Sequence, residues 1–247
     1  MSSGLVFNDY FHIMVRRLVG VKGCSVLNHS VLNKKLIEYG FTPWWVMTRN
    51  ECKQYWKNVN NDERNRGNRP LDYFNKDIDS CLFLVGVFSG LVDKGDHVLE
   101  LGCNVGTNLN VLFDSGYTCL SGVEINSLAV DMMRERYLNL RDVVVYDGSI
   151  ESVLGSLGDG CVDVVFSMAV LMHVHPGNGF VFRDMVRVAR KYVVTFEDEF
   201  SCCSYVFPRD YRSVFCGLGC EMVLAVRYND RFVVRVFSVP GFRGDVL

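Results

Sequence analysis

The chain has 247 residues, of which 49% are hydrophobic and 22% charged, and its 26 basic and 28 acidic residues give a formal net charge of -2. This apolar content is enough for a sizeable core and excludes an intrinsically disordered or collagen-like chain. The near-neutral charge provides no general attraction for polyanions, so we do not expect nucleic-acid binding that is independent of sequence.

The ten cysteines are scattered through apolar runs of the sequence. Such a distribution is typical of reduced, buried thiols rather than of a disulfide scaffold. Cys216 and Cys220 lack a second pair of ligands, so the sequence predicts no zinc site.

Neither a secretion signal nor a membrane span is predicted. Arg16 and Arg17 interrupt the apolar stretch near the N-terminus, which does not fit a signal peptide. The longest apolar run, residues 81–92, is shorter than the roughly 20 residues that a membrane span needs, and it indicates a core helix. We therefore expect a cytoplasmic protein, and the sequence leaves its oligomeric state open.

Residues 1–76 differ in composition from the rest and predict a separate N-terminal helical appendage. They contain all three tryptophans, Trp44, Trp45 and Trp56, and end in a polar stretch over residues 58–69. That stretch is too polar to build a core, which favours a solvated loop over a lid that grips a ligand. A substrate-binding role for the appendage stays open.

From residue 78 onward, strand-like and helix-like patterns alternate along the chain. The predicted strands are residues 97–102, 120–125, 143–146, 162–167 and 192–196. This alternation predicts a parallel sheet that is covered by helices on both faces. The last two β-rich runs, 221–228 and 232–239, are too close in sequence for a parallel crossover and therefore predict an antiparallel hairpin.

A glycine-containing turn follows the first predicted strand. Residues 98–109 read Val-Leu-Glu-Leu-Gly-Cys-Asn-Val-Gly-Thr-Asn-Leu. Gly102 and Gly106 stand where a nucleotide-binding turn requires the absence of side-chain bulk. Asn104 occupies the position of a middle glycine, and asparagine tolerates left-handed backbone better than most residues.

Acidic residues end the second and third predicted strands. Glu124 follows the glycine turn at the distance where a carboxylate can accept the protons of both ribose hydroxyls. The alternative is that Glu124 is solvated beside a helix N-cap. Asp147 ends the third strand in the run Tyr-Asp-Gly-Ser-Ile. The position of Glu124 therefore indicates a nucleoside but not its reaction.

Two histidines follow the fourth strand and three acids follow the fifth. His173 is the candidate general base, because an imidazole with a pKa of about 6.5 can take a proton from a hydroxyl or an amine. The alternative is that His173 packs against a cofactor or orders a loop. His175 is a second candidate, and the two histidines have no third ligand that would complete a metal site.

The acidic run Glu197-Asp198-Glu199 is expected to form a solvated loop, since like charges resist joint ionisation when they are buried. The alternative is that it faces a cationic group such as a substrate ammonium. Glu197 is therefore a further candidate for a catalytic role.

In this order, the motifs resemble those of the class I S-adenosyl-L-methionine (SAM) dependent methyltransferases over residues 77–239. The resemblance implies a three-layer, Rossmann-like α/β domain over residues 77–247, with a mostly parallel seven-stranded sheet and one antiparallel C-terminal strand. It implies SAM as the cofactor and S-adenosyl-L-homocysteine (SAH) as its product, without a metal. Glu100 is implied near the ammonium group of SAM and Asp147 near the adenine amino group. The implied cofactor-binding residues are Glu100, Gly102, Cys103, Asn104, Gly106, Thr107, Asn108, Glu124, Ile125, Asp147, Gly148, Ser149, Ser167 and Met168.

At a finer level, the turn motif and the run Val-Leu-Met-His-Val-His-Pro are similar to those of methylases associated with nonulosonate and surface-sugar biosynthesis. This implies methyl transfer to O or N of a small-molecule acceptor such as a sugar or an amino sugar, with nucleic acid disfavoured as a partner. Two alternatives stay open: a catalytically silent SAM- or nucleoside-binding module that acts through a protein partner, and an RNA or nucleotide methyltransferase. Thr107 at the third glycine of a Gly-x-Gly-x-x-Gly pattern disfavours a nicotinamide oxidoreductase.

Overall fold

The computed structural model describes residues 46–74 and 78–242. Cys24, Trp44 and Trp45 lie outside these ranges, so the predicted appendage is described only in its second part. That part holds helix α1 (Arg49–Asn58) and the one-turn helix α2 (Pro70–Tyr73). In the described ranges, no helix is both long and apolar enough to cross a membrane.

Seven strands form one sheet within the described residues. They are β1 (Val98–Leu101), β2 (Leu120–Glu124), β3 (Val144–Asp147), β4 (Val162–Met168), β5 (Ala189–Asp198), β6 (Glu221–Arg227) and β7 (Phe232–Ser238). The strand order is β3-β2-β1-β4-β5-β7-β6. Only β7 runs antiparallel to its neighbours, so the predicted fold with a reversed C-terminal strand is confirmed.

Helices cover both faces of the sheet. They are α3 (Ile78–Ser89), α4 (Thr107–Asp114), α5 (Ser127–Arg136), α6 (Ile150–Ser156), α7 (Phe180–Val188) and α8 (Tyr211–Gly217). Buried side chains of α3, α4 and α5 pack on one face, and those of α6, α7 and α8 pack on the other. Successive strand residues alternate between the two cores, as Val98 and Leu99 do. This burial on both faces explains why the strands read as continuous apolar runs.

The acidic run after the fifth predicted strand is not a solvated loop. β5 pairs with β7 as far as Asp198, and Glu197, Asp198 and Glu199 are 0%, 0% and 7% exposed. The expectation of a solvated acidic segment was therefore wrong.

Arginines of the C-terminal hairpin explain how two of these acids are buried. Arg231 Nε donates to Asp198 Oδ2 at 2.9 Å. Arg235 binds both carboxylate oxygens of Glu199, at 2.7 and 2.8 Å. A buried carboxylate is tolerated when a cation and hydrogen bonds compensate its lost hydration.

The cysteines only partly fit the expectation of buried thiols. The nine cysteines in the described residues form no disulfide, but Cys119 and Cys216 are exposed. Cys216 lies in α8, which buries Tyr211 and Phe215 one turn apart and leaves the neighbouring position outside that face. Apolar neighbours in the sequence are therefore not enough to predict burial of a thiol.

A substitution at Gly122 tests how closely the turn after β1 packs on β2. A Cβ atom at Gly122 would lie 2.6 Å from Cys103 Sγ. We expect Gly122→Ala to lower the free energy of unfolding by about 1–3 kcal/mol, because backbone or side chains must shift to accept the methyl group. Urea denaturation measures the change.

Gly86→Ala in α3 is the matched control, since a Cβ there meets no atom within 4 Å. It should be neutral or stabilise by roughly 0.5–1 kcal/mol, the helix preference for alanine over glycine. Equal effects of the two substitutions would contradict the close packing at Gly122.

Candidate functional site

A cleft of about 1090 Å³ lies at the carboxyl ends of β1, β2 and β4. In open α/β sheets this edge is where ligands bind. The turns after β1, β2 and β4 and the start of α6 form its floor, and α1 lies across it as a roof. The predicted site residues that line the cleft are Gly102, Cys103, Asn104, Thr107, Asn108, Glu124, Ile125, Gly148, Ser149, Met168, His173 and His175.

The turn after β1 depends on left-handed backbone. Gly102, Asn104 and Gly106 have φ angles of 68°, 49° and 74°. A Cβ at Gly102 would lie 2.7 Å from a methyl carbon of Val170, so only glycine lets the turn after β4 approach so closely. Asn104 also adopts the left-handed conformation, which asparagine tolerates better than most residues.

Glu124 is a buried acceptor for the backbone of two turns. Its Oε2 accepts the N–H of Asn104 at 2.8 Å, and its Oε1 accepts those of Ile125 and Asn126 at 2.9 and 2.8 Å. The residue is only 6% exposed, so the alternative of a solvated carboxylate is wrong. Burial raises the pKa of Glu124, while the three N–H groups oppose that shift. Since a carboxylate offers about four lone-pair sites, one site on Oε2 stays available to a ligand.

Four other predicted cofactor residues lie outside the lining of the cleft, namely Glu100, Gly106, Asp147 and Ser167. Glu100 is buried behind Asn108, whose Nδ2 donates to Glu100 Oε1 at 2.6 Å. Asn108 lines the cleft in its place. Asp147 is exposed at the end of β3, next to the lining residues Gly148 and Ser149. Gly106 is also absent from the lining, because it sits at the start of α4 against Met133.

Glu197 holds the turn after β4 from behind. Its carboxylate accepts the Ser167 hydroxyl at 2.9 Å and the backbone N–H groups of Val170, Leu171 and Met172 at 3.0 to 3.2 Å. Burial raises its pKa, and these donors act in the opposite direction. Glu197 and Ser167 do not line the cleft. Glu197 is therefore placed to position this turn rather than to touch a substrate.

Ala169 belongs to the same turn and was not among the predicted site residues. It lines the cleft with a φ angle of 58°, which is uncommon for a residue with a Cβ. Its N–H donates to the Phe196 carbonyl at 2.9 Å. Such strain is typical of residues that surrounding hydrogen bonds hold in place at a functional site.

His173 is enclosed by aromatic rings. The ring centres of Trp56 and Tyr205 lie 4.5 and 5.7 Å from its own. Its Nδ1 lies 2.8 Å from the Tyr205 carbonyl oxygen and must donate to it, so Nε2 carries the lone pair. Burial lowers the pKa of His173 to about 4. The imidazole is therefore neutral near pH 7.

His175 has the opposite tautomer. Its Nδ1 accepts the Gly177 N–H at 3.0 Å, so in the neutral ring Nε2 carries the proton. This Nε2 is buried and has no hydrogen-bond partner within the described residues. Burial, followed by the positive charges of Arg49 and Arg209, lowers the pKa of His175. One histidine thus presents an acceptor and the other a donor.

The roof helix α1 was not predicted to reach the cleft. Arg49 Nη2 donates to the Gly177 carbonyl at 2.7 Å, and Asn126 Nδ2 donates to the Val59 carbonyl at 2.6 Å. Val59 is buried and lines the cleft, whereas most of residues 60–69 is exposed as expected for a solvated loop. The recurrence of Cys52 and Trp56 at helical spacing is the signal that could have indicated a buried face.

The strand order, the left-handed turn and the cleft together define a domain with the class I methyltransferase fold. Residues 99–194 match the family model described as a methyltransferase domain. No functionally curated protein matches the sequence significantly. The family match indicates a methyltransferase domain over this part of the chain, and the fold agrees with it.

Solved structures share this fold at low sequence identity. One is a protein from Pyrococcus horikoshii, with 16% identity, a TM-score of 0.56, and coverage of 75% of this chain and 95% of that chain. Another is the magnesium protoporphyrin IX methyltransferase from Synechocystis with bound SAH, with 12% identity, a TM-score of 0.54, and coverage of 65% and 82%. A third is the [4+2]-cyclase SpnF, with 12% identity, a TM-score of 0.56, and the same coverage of 65% and 82%. Likeness at this level shows the fold alone.

The low pKa of His173 predicts a pH-dependent contribution to stability. Because the folded pKa of about 4 lies below the usual value of 6.5, the unfolded chain binds the proton first as the pH falls. Stability is then lost as the pH falls below about 6.5, and most steeply between 6.5 and 4. Between pH 7 and 5, wild-type protein should lose about 2 kcal/mol more unfolding free energy than His173→Asn.

Urea denaturation at the two pH values measures this difference. The difference in unfolding free energy between the two proteins at pH 7 is the cost of the substitution itself. It is subtracted from the difference measured at pH 5. Equal acid losses in both proteins would show that His173 titrates normally in the folded state.

Proposed function

We propose that this protein is a SAM-dependent methyltransferase that transfers a methyl group to O or N of a small-molecule acceptor such as a sugar. The observation that carries the proposal is a single cleft in which three features meet. They are the left-handed turn after β1, the Glu124 carboxylate and the turn after β4 that carries His173.

The residues of the cleft suit a nucleoside cofactor. The turn at Gly102 leaves no side chain between the backbone and the cleft, and Glu124 keeps one lone-pair site for a hydroxyl group. Gly148 and Ser149 line the cleft where the family resemblance implies the adenine. Asp147 is exposed at the end of β3, one residue before this lining.

When bound, SAM supplies a methyl carbon that is already activated for in-line displacement. The protein therefore has to position the acceptor, exclude water and take one proton. His173 is neutral near pH 7, and its Nε2 is the free lone pair for that proton. A pKa of about 4 makes it a weak base, so positioning by the turn that Glu197 holds is the larger contribution.

A small acceptor is favoured over a macromolecule by the roof of the cleft. α1 lies across the open edge of the sheet, and Trp56 and His173 enclose one end with aromatic surface. We infer that residues 1–76 supply part of the acceptor site and residues 77–247 the cofactor domain. The cysteines of the described residues form no disulfide, which supports a reducing, cytoplasmic location.

Binding of SAH tests the cofactor proposal. Calorimetry should show binding to wild-type protein, and Glu124→Gln should weaken it by roughly tenfold, the effect of losing one charge-assisted hydrogen bond. Urea denaturation of the variant separates lost binding from lost folding, because Glu124 also holds the turn amides. No binding of SAH to wild-type protein at micromolar concentration would contradict the proposal.

Transfer from labelled SAM to small molecules of a cell extract tests catalysis. Labelled product should form, and His173→Asn should lower its rate while the affinity for SAH stays unchanged. With a base of pKa about 4, the rate should be flat above about pH 6 and fall below pH 5. SAH binding without any labelled product would favour the silent-module alternative.

A further inference from the structure

The roof of the cleft carries two cations that have no anionic partner in the part of the chain that the structure describes. Arg49 and Lys53 of α1 both line the cleft, and neither forms an ion pair within the described residues. They stand one helical turn apart, where like charges repel. Arg49 uses one N–H on the Gly177 carbonyl and keeps its other donors. Both side chains are exposed, so water solvates them without a ligand and both remain available to an anion in the cleft.

Two neutral donors add to these cations. The Trp56 Nε1 and His175 Nε2 atoms are buried and have no hydrogen-bond partner within the described residues. Both side chains line the cleft. A buried N–H without an acceptor is unfavourable, and ordinary protein interiors avoid it. A ligand with acceptor oxygens removes that cost.

The acids that line the cleft form no ion pair with these cations within the described residues. Glu124 accepts three backbone N–H groups, and Glu151 Oε1 accepts Asn178 Nδ2 at 2.6 Å. The unpartnered groups at the roof are therefore hydrogen-bond donors, and donors together with cations suit an anion.

Resting on the proposed function, we propose that the methyl acceptor carries a carboxylate or phosphate group that Arg49 and Lys53 bind. Trp56 and His175 donate their N–H groups to the same anionic part of the acceptor. The hydroxyl or amine that receives the methyl group lies against Nε2 of His173. Among sugars, this selects acidic or phosphorylated ones over cationic amino sugars.

SAM also contains a carboxylate, which is the other source of this chemistry. The turn after β1, where the family resemblance implies the amino-acid part of SAM, is joined to α2, because Thr107 Oγ1 donates to the Tyr73 carbonyl at 3.1 Å. Arg49 lies instead at Gly177, beyond β4. Because Arg49 contacts the segment after β4 and not the turn after β1, we assign the anion to the acceptor.

The test is calorimetry of inorganic phosphate, and in a separate series of malonate, added to SAH-saturated protein. Wild type should bind at least one of them, and Arg49→Gln and Lys53→Gln should each weaken that binding roughly tenfold, as expected for one lost charge-assisted contact. The preferred probe identifies phosphate or carboxylate. Lys57→Gln is the matched control, since Lys57 is an exposed lysine of α1 that does not line the cleft.

The same variants distinguish the sources of the anion. If Arg49→Gln and Lys53→Gln weaken SAH but not 5′-methylthioadenosine, which lacks the amino-acid part, the cations bind the cofactor and the proposal is overturned. Unchanged SAH affinity supports it. Equal binding of phosphate and malonate by all variants, or no binding by wild type, overturns it as well.

Failure of the proposed function would look different. In that case SAH does not bind wild-type protein at all. The two probes are then added to the free protein, where the same ranking of the variants still decides whether Arg49 and Lys53 form an anion site.

Discussion

The edge of the sheet that forms the cleft depends on buried carboxylates that accept hydrogen bonds from the backbone N–H groups of the turns. Glu197 does this for the turn after β4, and Glu124 for the turns after β1 and β2. A turn at a strand end has N–H groups that the sheet ladder leaves unpaired, and burying them without acceptors is costly. A carboxylate satisfies several at once, and a charged acceptor forms stronger bonds than a neutral one.

This arrangement determines what the cleft can do chemically. Because Glu197 fixes the backbone from Val170 to Met172, His173 follows at a defined place between Trp56 and Tyr205. His173 and His175 have opposite tautomers because their hydrogen-bond neighbours differ. A carbonyl oxygen beside His173 leaves a lone pair at Nε2, whereas a backbone N–H beside His175 leaves a proton there. Local main-chain contacts thus create an acceptor and a donor from the same residue type.

The sequence predicted the fold well because its signals are local. Strand and helix periods, the glycine turn and the short link between the last strands are each readable within a few residues. The acidic run at Glu197 was misinterpreted because its compensating cations are distant: Arg231 lies 33 residues from Asp198, and Arg235 lies 36 residues from Glu199. The roof was missed for the same reason, since Arg49 meets Gly177 128 residues later. Asp147 shows a further limit, because a motif position does not determine how far a side chain reaches into a cleft.

The hydrogen bonds that Glu197 accepts allow the side chains of the turn after β4 to vary. Apart from the Ser167 hydroxyl, its partners are main-chain N–H groups, which every residue except proline possesses. The shape of the turn is therefore independent of the side chain at a position such as Val170, which lines the cleft and is not fully buried. Descendants of this sequence can exchange that side chain, and with it the preference for an acceptor, without rebuilding the framework that holds the cofactor.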